Sequence, residues 1–148
     1  MKHFFWRLFL SGHTGALVCL LIGGGSATFI DATATAAETS VEFTKAQAMR
    51  GEALYHEKCV VCHGDNLGGI SKAAALTGPA FWEKWDQETA RALYSKIIST
   101  MPASAPGTLD PKAVIDIVAY ILAYNGLRPG GKETQNPDAL NHVQLAKP

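Results

Sequence analysis

Cys59-Val60-Val61-Cys62-His63 is the part of this sequence whose residue types and spacing could do chemistry. Two thiols three positions apart on one turn of backbone can each reach one vinyl group of a porphyrin and form a thioether. C-x-x-C-H is the attachment spacing of c-type haem. A histidine directly after the second thioether is held beneath the ring, where its Nε2 can bind iron as the proximal ligand. Rival chemistries fit the residues less well. A thioredoxin-type pair sits between a strand and a helix in a βαβ setting, and no alternating strand pattern occurs here. Zinc wants four ligands, and no second Cys/His pair exists. A vicinal clip between the two thiols would have no use for His63.

Helices must hold that motif, and their ends can be read. Thr44 and Gln47 make a T-x-x-Q capping box that opens a helix running to about Lys58. Ala48, Gly51 and Tyr55 share one face of it. A glycine inside a helix costs about 1 kcal/mol relative to alanine, so Gly51 needs a packing reason. A second helix supplies one: Asp110 can cap it, Pro111 suits its first position, and Asn125-Gly126 can end it. On this reading Gly51 lets the two helices cross closely, with Ile117 and Tyr120 packed over the gap. A third helix is expected from Asp86 to about Thr100, with acidic residues in its first turn and Ala90, Leu93 and Ile97 on one stripe. Between Gly64 and Phe81 the weak periodicity predicts mostly loop, with helical turns around Ser71 to Leu76 and Phe81 to Trp85. Trp82 and Trp85 read as core or haem-packing groups.

The N-terminus reads as an address. Lys2 and Arg7 precede the apolar run at 16–22, and Ala34-Thr35-Ala36 has the small-x-small pattern of a signal-peptidase site, so residues 1–37 are expected to be a secretory signal cleaved near Ala36 or Ala37. An uncleaved anchor is the competing reading, but the run is short of the ~20 residues a spanning helix needs. Removing residues 1–37 from the 148-residue chain leaves 111 residues, 11 basic and 12 acidic groups, and Cys59 and Cys62 as the cysteines. That near-neutral balance argues against nucleic acid as a partner. An exported domain this small, with no disulfide framework, can use a cofactor to complete its core. Residues 38–126 form the expected domain. Residues 127–148 are read as a C-terminal tail that wraps the surface, contacts a partner or stays flexible.

Over about residues 44–126 the chain resembles a class I c-type cytochrome. The resemblance implies an all-α fold, with three main helices and short turns around one covalently bound haem c. It also implies that the first and last helices cross. The iron's other ligand is then expected to be Met101. Of the two methionines left after cleavage, Met49 lies on the first helix ten residues before Cys59, whereas Thr100-Met101-Pro102 follows the third helix where the chain must loop back. Proline holds the preceding residue extended, which can present its sulfur, and the family carries its axial methionine in such a downstream loop. His63 and Met101 are therefore the expected metal ligands. His56 is too near Cys59 to reach the other face, and His142 would need the tail to fold over the haem. An iron-bound histidine usually donates its other ring N–H to a carbonyl. Gly78-Pro79 resembles the family segment that supplies it, which makes Pro79 a cofactor-site candidate.

Two strong axial ligands leave no open position, so these expectations describe a one-electron carrier and not an enzyme: a periplasmic cytochrome, or the cytochrome subunit of a dehydrogenase. A looser likeness, in Gly78-Pro79-Ala80-Phe81 and the stretch from Thr100 to Gly107, is to cytochromes associated with quinoprotein alcohol dehydrogenases. It implies a quinoprotein dehydrogenase as donor and a terminal oxidase as acceptor. The cytochrome c maturation machinery is a further partner, and the membrane becomes one only if the signal stays uncleaved. The alternative is a haem enzyme or a gas or peroxide sensor in which Met101 is absent from iron and the sixth position is open.

Overall fold

The computed structural model describes residues 43–148, so the signal expected over residues 1–37 lies outside the described residues. The helices are α1 (Lys45–Lys58), α2 (Val60–His63), α3 (Gly78–Trp85), α4 (Ala90–Thr100) and α5 (Pro111–Tyr124), followed by a 3-10 helix at Pro137–His142. The described residues hold the isolated antiparallel bridge Thr89–Gln144. Over the described residues the fold is all-α, as the resemblance to class I cytochromes c implies. Among the described residues, no helix is long and apolar enough to cross a membrane.

Local chemistry fixes the two helices that frame the molecule. The Gln47 N–H donates to Thr44 Oγ1 at 3.1 Å, and the Thr44 N–H donates to Gln47 Oε1 at 3.3 Å, which completes the capping box. Asp110 Oδ1 accepts from the N–H groups of Lys112 and Ala113 at 2.9 and 3.1 Å. Pro111 takes the first position of α5, where a missing N–H is harmless. The central part of α5 is buried almost all round, from Val114 and Ile115 through Ile117 to Leu122, so α5 is the axis of the core.

α1 crosses α5 at Gly51. A Cβ on Gly51 would collide with the backbone carbonyl of Asp116 and lie 2.9 Å from Tyr120 Cβ. Tyr120 sits over the gap as expected. The nearest group to Gly51 is the Asp116 carbonyl, so the helices approach backbone to backbone there. Tyr55 and Tyr120 continue the seam with ring centroids 5.3 Å apart.

Two boundaries depart from the sequence reading. α4 begins at Ala90 and not at Asp86. Gln87 takes a left-handed φ of 66° that no helix accommodates, and Thr89 Oγ1 caps the helix by accepting from the Ala92 N–H at 3.2 Å. The acidic pair Asp86 and Glu88 therefore lies in the connection. Residues 71–76 form turns and no helix, while α3 starts at Gly78, three residues earlier than expected, with Pro79 in its first turn.

The tail is folded onto the domain. Leu140, Val143 and Leu145 are buried, and the 3-10 helix lies against α4. The Ala90 N–H donates to Val143 O, while Gln87 and Glu88 exchange backbone hydrogen bonds with Leu145, each at 2.8 Å. The fully enclosed amide of Gln47 ties the tail to α1. Its Nε2 donates to Thr134 O at 2.7 Å, and the Thr134 N–H donates to its Oε1 at 2.8 Å. Beside it, Arg50 pairs with Asp116 at 2.8 Å and with Glu133 at 2.9 Å, and its guanidinium is pushed further into the charged form, chiefly by the hydrogen bond to Asp116.

Candidate functional site

Cys59 closes α1 and opens α2. Its N–H donates to Tyr55 O at 2.8 Å, and its carbonyl accepts from the N–H groups of Cys62 and His63 at 3.1 and 3.0 Å. The motif is thus one helical turn. Residues three apart on such a turn share a face, so the two thiols are presented together. Cys59 is half-buried, Cys62 is exposed, and neither is in a disulfide. Burial pushes the Cys59 thiol up to about 11, with Lys58 pulling it back and Cys62 adding to the rise. Cys59 is therefore protonated at neutral pH.

Gly64 ends the turn with a φ of 77°, a conformation that glycine adopts without steric penalty. The Gly64 carbonyl accepts from the buried Tyr55 hydroxyl at 2.6 Å and from the Leu67 N–H at 3.2 Å. The chain then doubles back along the motif. The Gly69 N–H donates to His63 O at 2.8 Å, and the Ile70 N–H donates to Cys62 O at 2.9 Å. This return brings the Ala74 carbonyl to 2.9 Å from His63 Nδ1. As a donor to that carbonyl, Nδ1 carries the proton and Nε2 is left as the electron-pair donor.

The carbonyl belongs to Ala74, and this corrects the expectation for Pro79. Pro79 is an exposed residue at the start of α3, past the point where the loop has already met the histidine. An alanine whose only part is its backbone oxygen leaves no mark in a sequence. Asn125 is a second residue whose role is larger than its sequence signal. Read as a helix end, it also donates through Nδ2 to Leu76 O and Ile121 O, each at 2.8 Å. Its buried Oδ1 has no hydrogen-bond partner among the described residues.

Met101 is the C-cap of α4, in extended backbone at φ −118° and ψ 154°, and its side chain packs partly buried against the core. Met49 is 60% exposed on α1, as its place ten residues before Cys59 suggests. His56 lies on the surface, 3.7 Å from Asp65, and His142 is exposed at the end of the 3-10 helix. Trp82 and Trp85 are buried with Phe81, which meets Trp82 edge to face at 5.1 Å. No described group of three or more His, Cys, Asp or Glu side chains could hold a metal ion, which sets zinc aside for these residues.

The donor set fits haem c. Two thiols stand on one turn, an imidazole beside them has only Nε2 to offer, and a thioether waits in an extended segment. Apolar Val61 and Ile70, 83% and 53% exposed, flank the turn.

Comparison with known proteins follows the same line. Residues 46–121 match the family model described as cytochrome c oxidase, cbb3-type, subunit III, and this stretch is about half of the 148-residue chain. Among solved structures, the chain is similar to the sulfane dehydrogenase SoxCD from Paracoccus pantotrophus, with 22% identity and a TM-score of 0.52. That match covers 66% of this chain and 52% of the other, so the likeness spans about half of the solved chain and is one of fold. No curated protein matches.

Proposed function

The chain belongs to the family described as cytochrome c oxidase, cbb3-type, subunit III, and from that premise we propose that it is a periplasmic one-electron carrier with one His/Met-ligated haem c. Family membership implies the covalently bound haem and redox partners. The observation that carries the finer reading is His63, fixed through Nδ1 to Ala74 O on the same turn that presents Cys59 and Cys62.

When bound, haem c supplies a one-electron Fe(III)/Fe(II) couple. The rest is the work of this chain. Cys59 and Cys62 hold the group by two thioethers, which keeps it with an exported protein. His63 would hold the iron through Nε2, and the Ala74 carbonyl keeps the Nδ1 proton in place and strengthens the ring as a donor. Met101 would supply the second ligand from this chain, and its sulfur favours the reduced state. Tyr55, fully buried, braces the end of the turn through Gly64 O, so the ligand cage moves little when charge changes. With His63 and Met101 both on the iron, no position would be left for a substrate.

A quinoprotein dehydrogenase is the donor and a terminal oxidase the acceptor in this reading. The likeness of Gly78-Pro79-Ala80-Phe81 and Thr100 to Gly107 to quinoprotein-associated cytochromes supports the donor. The similarity to a sulfane dehydrogenase supports a dehydrogenase more generally. The signal pattern in residues 1–37 supports export.

The sixth ligand is the test. Oxidised wild type should show the weak near-infrared methionine-to-iron band, and the reduced protein should resist carbon monoxide. Met101→Ala should lose the band and bind carbon monoxide readily. Rapid carbon monoxide binding by the wild type would instead make the protein an open-site haem enzyme or sensor.

A further inference from the structure

The Ala74 carbonyl reaches His63 only because a short loop segment, residues 73–76, is held beside the motif. Two residues grip that segment from different directions. On one side is Gly69. Its φ of 79° is a left-handed conformation, and a Cβ there would collide with the Ala73 carbonyl oxygen and lie 3.1 Å from both Ala74 C and Ala75 N. These last two atoms are the ends of the peptide bond whose oxygen accepts from His63 Nδ1. Gly69 therefore lies flat against the peptide that orients the histidine, while its own N–H donates to His63 O at 2.8 Å. The packing against residues 73–75 leaves no room for a side chain.

On the other side is Asn125, at the far end of α5. Its Nδ2 donates to Leu76 O at 2.8 Å, and the Leu76 N–H donates to Leu67 O at 2.7 Å. Leu76 is thus pinned at both backbone groups, two residues after Ala74. The second bond of Nδ2, to Ile121 O at 2.8 Å, fixes the amide on its own helix. The arrangement leaves Oδ1 buried without a partner. A side chain that only ended a helix could turn that oxygen to solvent. Here the orientation of the amide is dictated by the two carbonyls that it serves.

We propose that Gly69 and Asn125 are positioning residues for the axial histidine: together they hold the Ala74 carbonyl on His63 Nδ1 and thereby set the reduction potential. This inference rests on the ligation by His63 proposed above. The direction follows from the bond. A carbonyl that accepts the Nδ1 proton makes the imidazole a stronger donor, which favours Fe(III). Displacing the carbonyl weakens the ring as a donor and moves the equilibrium towards Fe(II).

Gly69→Ala and Asn125→Ala, as haem-loaded full-length proteins, test the two sides separately. Gly131→Ala is the control, because Gly131 has a matching φ of 80° with nothing within 4 Å of its added Cβ. Two quantities are read: the reduction potential, and the solvent exchange of the His63 Nδ1 proton by NMR. Loss of a ligand's outer partner typically weakens a metal site by about 10–100-fold. If the low end of that loss falls on Fe(III) alone, Gly69→Ala and Asn125→Ala should each shift the equilibrium about tenfold towards Fe(II), or 59 mV for one electron. Each should also exchange the ring proton faster, and Gly131→Ala should change neither quantity. If Gly69→Ala does not load haem, Asn125→Ala decides the matter. Wild-type potential and exchange in Asn125→Ala, or a ring proton in the wild type that exchanges as fast as that of free imidazole, overturns the inference. His63→Ala separates the two levels: if its haem spectrum matches that of the wild type, the ligation itself is wrong.

Discussion

Replacing Gly51 with alanine should destabilise the protein, although the same change in an ordinary exposed helix would stabilise it. The helix term is a gain of about 1 kcal/mol, from the lower cost of ordering alanine. Against it stands a steric term set by backbone. The new methyl would overlap the Asp116 carbonyl and lie 2.9 Å from Tyr120 Cβ, where carbon atoms prefer about 3.5–4.0 Å. A carbonyl inside α5 cannot rotate aside, so α1 and α5 must separate. A gap of about 0.5–1 Å already forfeits a quarter to a half of each contact's dispersion energy. Buried Ala48, Tyr55, Ile117 and Tyr120 all lie on the two helices. Overpacking costs about 1–3 kcal/mol, and the absence of any flexible neighbour puts this case at the upper end. The net loss is about 2 kcal/mol, roughly a thirtyfold change in the folding equilibrium. Urea unfolding followed by circular dichroism should show a lower midpoint at an unchanged slope. A midpoint that stays put or rises would refute the close crossing.

Tyr55→Phe removes a 2.6 Å hydrogen bond to Gly64 O, but that oxygen keeps the Leu67 N–H; the loss in urea unfolding should be about 1 kcal/mol, the low end for a buried pair. Burial raises the hydroxyl pKa of both Tyr55 and Tyr120, so their contribution to stability is complete below the unfolded value of about 10 and is lost as pH climbs above it. A stability–pH curve should fall there, and Tyr55→Phe should make the fall shallower. Gln47→Leu removes the two hydrogen bonds to Thr134; it should cost about 1–3 kcal/mol and speed amide exchange at Leu140, Val143 and Leu145 more than in α5.

What was legible in the sequence was whatever depends on a few adjacent residues. The Thr44–Gln47 box and the Asp110-Pro111 start of α5 are local chemistry, and they stand as read. Gly51 announced a crossing because a buried helix glycine needs a reason, yet the partner atoms depend on how two helices roll against each other. At Gly51 that roll brings the Asp116 carbonyl nearest. Asp86 and Glu88 resembled an acidic first turn, but a single left-handed residue, Gln87, moves the helix start to the next capping residue, Thr89. Pro79 drew attention as a proline in a family-like segment, whereas the oxygen that meets His63 comes from Ala74 and depends only on the path of the loop. In the tail, Leu140, Val143 and Leu145 follow neither a helix nor a strand period. Their burial is settled by α4 and the loop before it.

The most direct test of haem attachment is the intact mass of the purified protein, followed by peptide mapping. Covalent attachment predicts the polypeptide mass plus one haem, with the added mass on the single peptide that contains both Cys59 and Cys62, and neither thiol open to alkylation. A colourless protein of bare polypeptide mass with two alkylatable thiols, made in cells whose maturation machinery loads another c-type cytochrome, would contradict it.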